Sequence, residues 1–261
     1  MKYINVAFKS HEGEGEYAVL TLDNPETKNS LTLDTGLAFQ GQLNSMAARE
    51  PLPAALIITG GGDAFSSGGD FEMLRRFSEN TVAENREFML GFYKLFLRVR
   101  EVPFPVIAAV NGHAMGAAFA LALACDIRYF AQEGKYAMNF VRLGIHPGMG
   151  SSFILKEIAG LGQAQDLLLT GKTISGEEVQ RRGLCHEALP ASRIMERAEE
   201  TARQFAQLSP EAVQLCKAGL YRNHSLEETL NYEAESQARN YASDEYRLLM
   251  DALVMKHRKK N

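Results

Sequence analysis

Positive charge runs short in this sequence. Its 28 Lys and Arg residues are outnumbered by 32 Asp and Glu, for a formal net charge of −4 at pH 7. A chain so balanced offers no global basic field to recruit nucleic acid or an anionic membrane, and it has no helix rich in Lys and Arg. Any anionic ligand must therefore be held locally. Cysteine is scarce as well: Cys125, Cys185 and Cys216 are odd in number, widely spaced and set in apolar or helical surroundings. They make no CxxC pair and no Cys/His cluster, so no metal site is expected, and reduced thiols of a cytoplasmic protein are the simplest reading. Long hydrophobic runs are missing too. The start, MKYINVAFKSHEGEGE, lacks the apolar core of a secretion signal, and the run Ala114–Ala124 is too short to span a bilayer.

What is present fits a globular protein. With 261 residues, 46% of them hydrophobic and 23% charged, the chain can bury a sizeable core as one large domain or a core plus an appendage. Strand-like runs occur at Ala18–Leu22, Ala54–Ile58, Val106–Val110 and Ile127–Phe130. Ala54–Ile58 and Val106–Val110 are apolar throughout, as expected of strands covered on both faces. Helical segments lie between them, at about Leu33–Ala48, Thr81–Arg100 and Ala114–Ala124, and this alternation predicts an α/β core with parallel pairing. After about Gly150 the pattern turns helical. Ser175–Glu178 and Ser225–Glu228 fit capping boxes, and Ser209-Pro210 reads as a helix start. Residues 201–261 are thus expected to form a helical region behind a core of residues 1–200, ending in a solvated basic tail, KHRKK.

Thr59–Asp70, TGGGDAFSSGGD, crowds five glycines behind an apolar strand. A dinucleotide fingerprint fails there, because the third glycine would fall at Phe65, and a phosphate loop fails for want of Gly-Lys-Ser/Thr. A second candidate turn lies fifty residues on. Pro105–Asp126 reads as a buried strand, a turn, then a helix whose first residues are nearly all small. Small residues at a helix start let a ligand approach the free amide groups, and the helix dipole favours negative charge there. Two such turns can converge on one oxygen as an oxyanion hole.

Five segments run in the same order and at the same spacing as in the crotonase (enoyl-CoA hydratase/isomerase) superfamily, which the sequence resembles over nearly its whole length. They are NPETKNSLT (Asn24–Thr32), DAFSSGGDFEML (Asp63–Leu74), PVIAAVNGHAMGAAFALALACDIR (Pro105–Arg128), LGIHPGMGSS (Leu143–Ser152) and LLLTGKTISGEEVQRRGL (Leu167–Leu184). The resemblance implies an α/β fold, a crotonase-like spiral of ββα repeats with a C-terminal helical trimerisation region. It also implies a coenzyme A or carrier-bound acyl thioester as substrate, no tightly bound cofactor, and self-association to a trimer or dimer of trimers. By motif position it puts the oxyanion hole at the amides of Ser66 and Ala117. Ser66, Ser67 and Gly68 would form the surface against the thioester, Gly116 would also bind substrate, and Lys28 would stand near coenzyme phosphates or remain a solvated lysine. Asp70 would pin the loop or cap the next helix.

Two departures from the family pattern matter. Its hydratases use two glutamates to activate water, and the matching positions here hold Ala120 and Phe140, neither of which transfers a proton. Positioned acid–base groups are typically worth ~10²–10⁴-fold in rate, so ordinary hydration is not expected. His146 and Gly148, in GIHPGMG, lie on a loop that closes over the acyl pocket in the family. His146 is either a base or acid near neutral pH or a ring that caps a loop. His113 is expected to be packed or backbone-bonded, Asp63 and Glu72 to be solvated, and Asn139 to bind a polar substrate group or end a strand. The leading expectation is an acyl-CoA enzyme, lyase or isomerase, that stabilises a thioester enolate. The alternatives are decarboxylation of a thioester, as in members that serve polyketide branching, and a silent acyl-CoA binder.

Overall fold

The computed structural model describes residues 3–10, 15–208, 210–221, 226–242 and 244–258. Ser209 of the Ser-Pro helix start, Ser225 of the second capping box and the end of the basic tail lie outside the described residues.

Strands β1 (Ile4–Lys9) and β2 (Tyr17–Leu22) pair antiparallel, and α1 (Leu33–Ala47) follows. The chain then repeats one pattern, in which a strand of a large sheet leads into a short strand of a small sheet and on to a helix. The first unit is β3 (Leu56–Gly60), β4 (Ala64–Ser66) and α2 (Phe71–Arg76), with α3 (Val82–Leu97) appended. The second is β5 (Val106–Val110), β6 (His113–Met115) and α4 (Ala117–Ala124). The third is β7 (Ile127–Ala131), β8 (Lys135–Ala137) and α5 (Ser151–Thr170). Next come β9 (Thr173–Ser175), α6 (Gly176–Arg181) and β10 (Glu187–Leu189). The helices α7 (Ile194–Ala206), α8 (Pro210–Leu220), α9 (Leu226–Tyr241) and α10 (Asp244–Arg258) complete the chain.

The large sheet has the order β1-β2-β3-β5-β7-β10 and the small one β4-β6-β8-β9. Pairing is parallel from β2 to β10 and from β4 to β8. Each unit is therefore displaced by one strand in both sheets, and the chain winds as the expected spiral of ββα units.

Both faces of the large sheet are covered, which is why β3 and β5 are apolar throughout. Leu20, Leu56, Ile58, Val106, Ala108 and Val110 face one core, and Val19, Ile57, Ile107 and Ala109 face another. Side chains alternate between faces along a strand, so a doubly covered strand has no polar face to show. Ile194, Ala198 and Ala202 of α7 close the second core.

Several boundaries differ from the sequence-based expectation. β3 lies two residues later than Ala54–Ile58, and the run Ala114–Ala124 divides between β6 and α4. Gly116, at φ 50° and ψ −113°, makes that division, because its backbone angles belong to neither element and suit glycine. The three-residue strands β4, β6, β8, β9 and β10 were not predicted, since so short a segment shows no period. The expected boundary at residue 200 falls inside α7, and Leu230, Ala234, Tyr241, Tyr246 and Met250 of the last helices join the main core.

Candidate active site

The two glycine turns pack back to back. A Cβ on Gly112 of the second turn would collide with Asp63 O of the first, and one on Gly60 would collide with Ala64 O within its own turn. Bare backbone is needed because the turns approach closer than any side chain allows. Asn111 stitches them together: its Nδ2 donates to Gly60 O and Gly62 O at 3.0 Å, and its Oδ1 accepts from Gly60 N at 3.1 Å. Asn29, left-handed at φ 57°, holds the other flank by donating from Nδ2 to Gly61 O and Ala64 O at 2.9 Å. The motif Asn24–Thr32 thus braces the loop.

The braced loop and the start of α4 form the wall of a cavity of about 70 Å³. Gly69, Gly116 and Ala117 line it, along with Ser67, Met115, Asn139 and Phe140. Ala117 is the first residue of α4, where a helix leaves its amides without an internal acceptor. On the facing loop, Ser67 N donates to Lys28 O, Gly68 N to Ser66 Oγ and Asp70 N to Leu31 O. Gly69 N has no such bond among the described residues. The cavity therefore has two unengaged amides on adjoining walls.

The predicted residues divide accordingly. Ser66 does not line the cavity: it is fully buried, paired with Ala114 in β4, and its Oγ donates to Asn29 O at 2.6 Å. A three-residue strand, invisible in the sequence, claims it, and Gly69 stands where the loop opens. Ser67 lines the mouth, with Oγ on Thr27 O at 2.9 Å, and Gly68 is tucked behind it. Lys28 is exposed. Asp70 caps α2, its Oδ1 accepting from Met73 N at 3.0 Å. Phe140 lines the cavity, whereas Ala120 lies one turn inside α4 and packs in the core. Gly148 lies against Tyr93 and Gln237, whose atoms would stand about 2.5 Å from a Cβ there.

His146 is absent from the cavity lining and sits on the far side of the Ile145 loop. Its Nδ1 contacts Pro147 O at 2.8 Å, its backbone N donates to Asn240 Oδ1, and its carbonyl accepts from Gln237 Nε2. Burial holds its pKa below the usual histidine value, against the opposing pull of the Pro147 contact. His113 accepts from Lys135 N at 2.9 Å, and Asp63 and Glu72 are exposed. Sequence reasoning missed Gly69, Asn111 as the brace, and the side chains Tyr93, Gln237 and Tyr241. The last two come from a helix assigned to an appendage, and no local signal points them at the cavity.

Among the described residues, no Asp, Glu, Lys, Arg or His lines the cavity. No group of three or more His, Cys, Asp or Glu there could hold a metal ion, and no helix is long and apolar enough to cross a membrane.

The family model for enoyl-CoA hydratase/isomerase matches residues 12–255. The chain belongs to the enoyl-CoA hydratase/isomerase family. It is 31% identical over 250 residues to the short-chain-enoyl-CoA hydratase of Clostridium acetobutylicum, covering 95% of this chain and 94% of that protein. It is also 31% identical over 261 residues to the crotonyl-CoA hydratase of Syntrophomonas wolfei, covering 99% and 98%. Among solved structures, an enoyl-CoA hydratase from Bacillus halodurans matches with a TM-score of 0.86 at 26% identity, over 96% of this chain and all of that one. In this family member the braced glycine loop, the start of α4 and the apolar cavity form one continuous surface.

Proposed function

We propose that this enoyl-CoA hydratase/isomerase family member binds a short acyl-CoA thioester and stabilises its enolate between the amides of Gly69 and Ala117. The supporting observation is the pair of unengaged amides on one small apolar cavity. Donors fixed before the reaction, in a site that excludes water, favour charge on the thioester oxygen without reorganising. Ser67 and the exposed Lys28 beyond it offer a path for the coenzyme. Asn139 Oδ1, which would lie 3.1 Å from a Cβ on Gly116, belongs to the polar side chain beside the hole and suits a water or an α-substituent. Acid–base catalysis by two glutamates is not part of this reading, because Ala120 and Phe140 stand at their positions. Three free thiols suit a reducing, cytoplasmic setting. Exposed Leu161, Leu169, Leu248 and Met255 support self-association into a trimer or a dimer of trimers.

Decarboxylation is the second reading, and the lack of Asp, Glu, Lys, Arg and His among the described lining residues favours it. Cleavage of the C–C bond leaves its electron pair on the α-carbon and thence the thioester oxygen, so no base is needed to form the enolate. An apolar wall also disfavours the departing carboxylate in the ground state.

The test offers purified protein crotonyl-CoA and a carboxylated enoyl-CoA, following enoyl absorbance and released CO₂. Slow or absent hydration is expected. Rapid hydration of crotonyl-CoA would overturn the assignment of Ala120 and Phe140, CO₂ release would select the second reading, and binding without turnover would mark a silent binder.

A further inference from the structure

The cavity holds a polar cluster that enolate stabilisation does not use. Tyr93 of α3 and Gln237 and Tyr241 of α9 line it beside Met89, Phe92 and Met149. All three are almost wholly buried, with Tyr93 and Gln237 2% exposed and Tyr241 1%. Gln237 is fixed at both ends: its Nε2 donates to His146 O at 2.8 Å, and its Oε1 accepts the Tyr93 hydroxyl.

Tyr241 is poorly served by comparison. Its hydroxyl reaches Gln237 Oε1 and Met89 Sδ, each at 3.5 Å, the outer limit of a hydrogen bond. One of those atoms is a weak thioether acceptor and the other is already engaged by Tyr93. Nothing among the described residues donates to the Tyr241 oxygen. The ring itself is well packed, 4.6 Å from Phe77 and 4.9 Å from Tyr246 between centroids, so a phenylalanine would serve the packing equally well. A buried hydroxyl without a good partner is costly, and a ligand that brings an acceptor removes the cost.

The cavity also restricts what that acceptor is. No cationic side chain lines it among the described residues, so a second carboxylate on the ligand would be desolvated without a counter-charge. Its volume of about 70 Å³ is roughly half of a ~150 Å³ cavity that admits benzene, which suits a chain of few carbons.

We infer that the acyl group carries, besides its thioester, a neutral hydrogen-bond acceptor such as a hydroxyl or carbonyl oxygen, and that the Tyr241 hydroxyl selects for it. This inference rests on the cavity being the acyl site of a coenzyme A thioester. Calorimetric titration of the full chain with butyryl-CoA, 3-hydroxybutyryl-CoA, 4-hydroxybutyryl-CoA and succinyl-CoA tests it. At least one hydroxyacyl thioester is expected to bind about three- to tenfold more tightly than butyryl-CoA, the range of one net hydrogen bond, and succinyl-CoA more weakly than either. Tyr241→Phe is expected to abolish the preference and, by removing a poorly partnered buried hydroxyl, to leave the melting temperature no lower than that of the unaltered protein. Equal binding of butyryl- and both hydroxyacyl thioesters by the unaltered protein, which needs no variant, overturns the inference. So does a preference that survives in Tyr241→Phe, or tightest binding of succinyl-CoA. Failure of all four thioesters to bind overturns the acyl-CoA reading itself and this inference with it.

Discussion

Ala117 stands where a helix has no internal use for an amide hydrogen, and its side chain is a single methyl group. Proline is well tolerated at a first helical position, and Gly116 before it has the backbone freedom that proline demands of its predecessor. Ala117→Pro therefore removes one N–H while keeping α4. If that amide is half of the oxyanion hole, the variant should lose about 10²–10³-fold in kcat with the melting temperature little changed. Steady-state kinetics on whichever thioester is turned over, with calorimetry alongside, checks both halves. Retained activity would remove Ala117 from the site. The residue scale also shows what the structure does with Ser66: its hydroxyl and its strand pairing serve the loop's architecture, away from the cavity lining. Gly69, with no side chain to notice, lines the cavity instead.

At the scale of elements, α8 is tied to the core through one lysine. Lys217 Nζ donates to Val99 O at 3.0 Å, Phe104 O at 2.9 Å and Asp126 Oδ2 at 2.7 Å. Asp126 also accepts from Val106 N and from the Tyr221 hydroxyl, both at 2.7 Å. Burial pulls the lysine's pKa below its usual value, while the Asp126 carboxylate works against that pull. Removing one partner of such a buried pair leaves the other charge uncompensated, so Lys217→Met should lower stability by about 3–5 kcal/mol. Denaturant titration reads this directly, and a loss under 1 kcal/mol would mean that the buried ion pair does not anchor α8. The anchored carboxylate lies at the end of α4 away from Ala117, so the same helix joins the C-terminal helices to the candidate site.

Over the whole molecule, acid sensitivity follows from two histidines, the partly buried His146 and the more exposed His186. Burial holds both His146 and His186 below the ordinary value of 6.5, opposed at His146 by Pro147 O and reinforced at His186 by Arg128. The unfolded chain thus binds these protons at a higher pH than the folded chain does. Their contribution to stability is complete above about pH 6.5 and is lost as pH falls through the window down to the folded-state values. The melting temperature is expected to decline as pH falls below about 6.5, and a His146→Gln/His186→Gln variant to flatten that decline. An unchanged profile in the double variant would assign the decline to other groups.

The sequence by itself determined an α/β core with parallel pairing, because doubly covered strands must be apolar on both faces, and the spiral followed from the resemblance of its motifs to a known family. Val106–Val110 was legible for the first of these reasons, and the α1 and α3 segments and the capping box at Ser175 were legible from helical patterning; the capping box at Thr81 was not read from the sequence. Phe140 was legible too, since a motif at known spacing fixed its position. Only the tertiary structure decided which loop residues line the cavity, because three-residue strands carry no periodic signal and depend on partners distant in sequence. The polar end of the cavity was equally hidden. Tyr93 and Gln237 are 144 residues apart and meet only because α9 packs along α3, a contact that nothing local to either helix encodes.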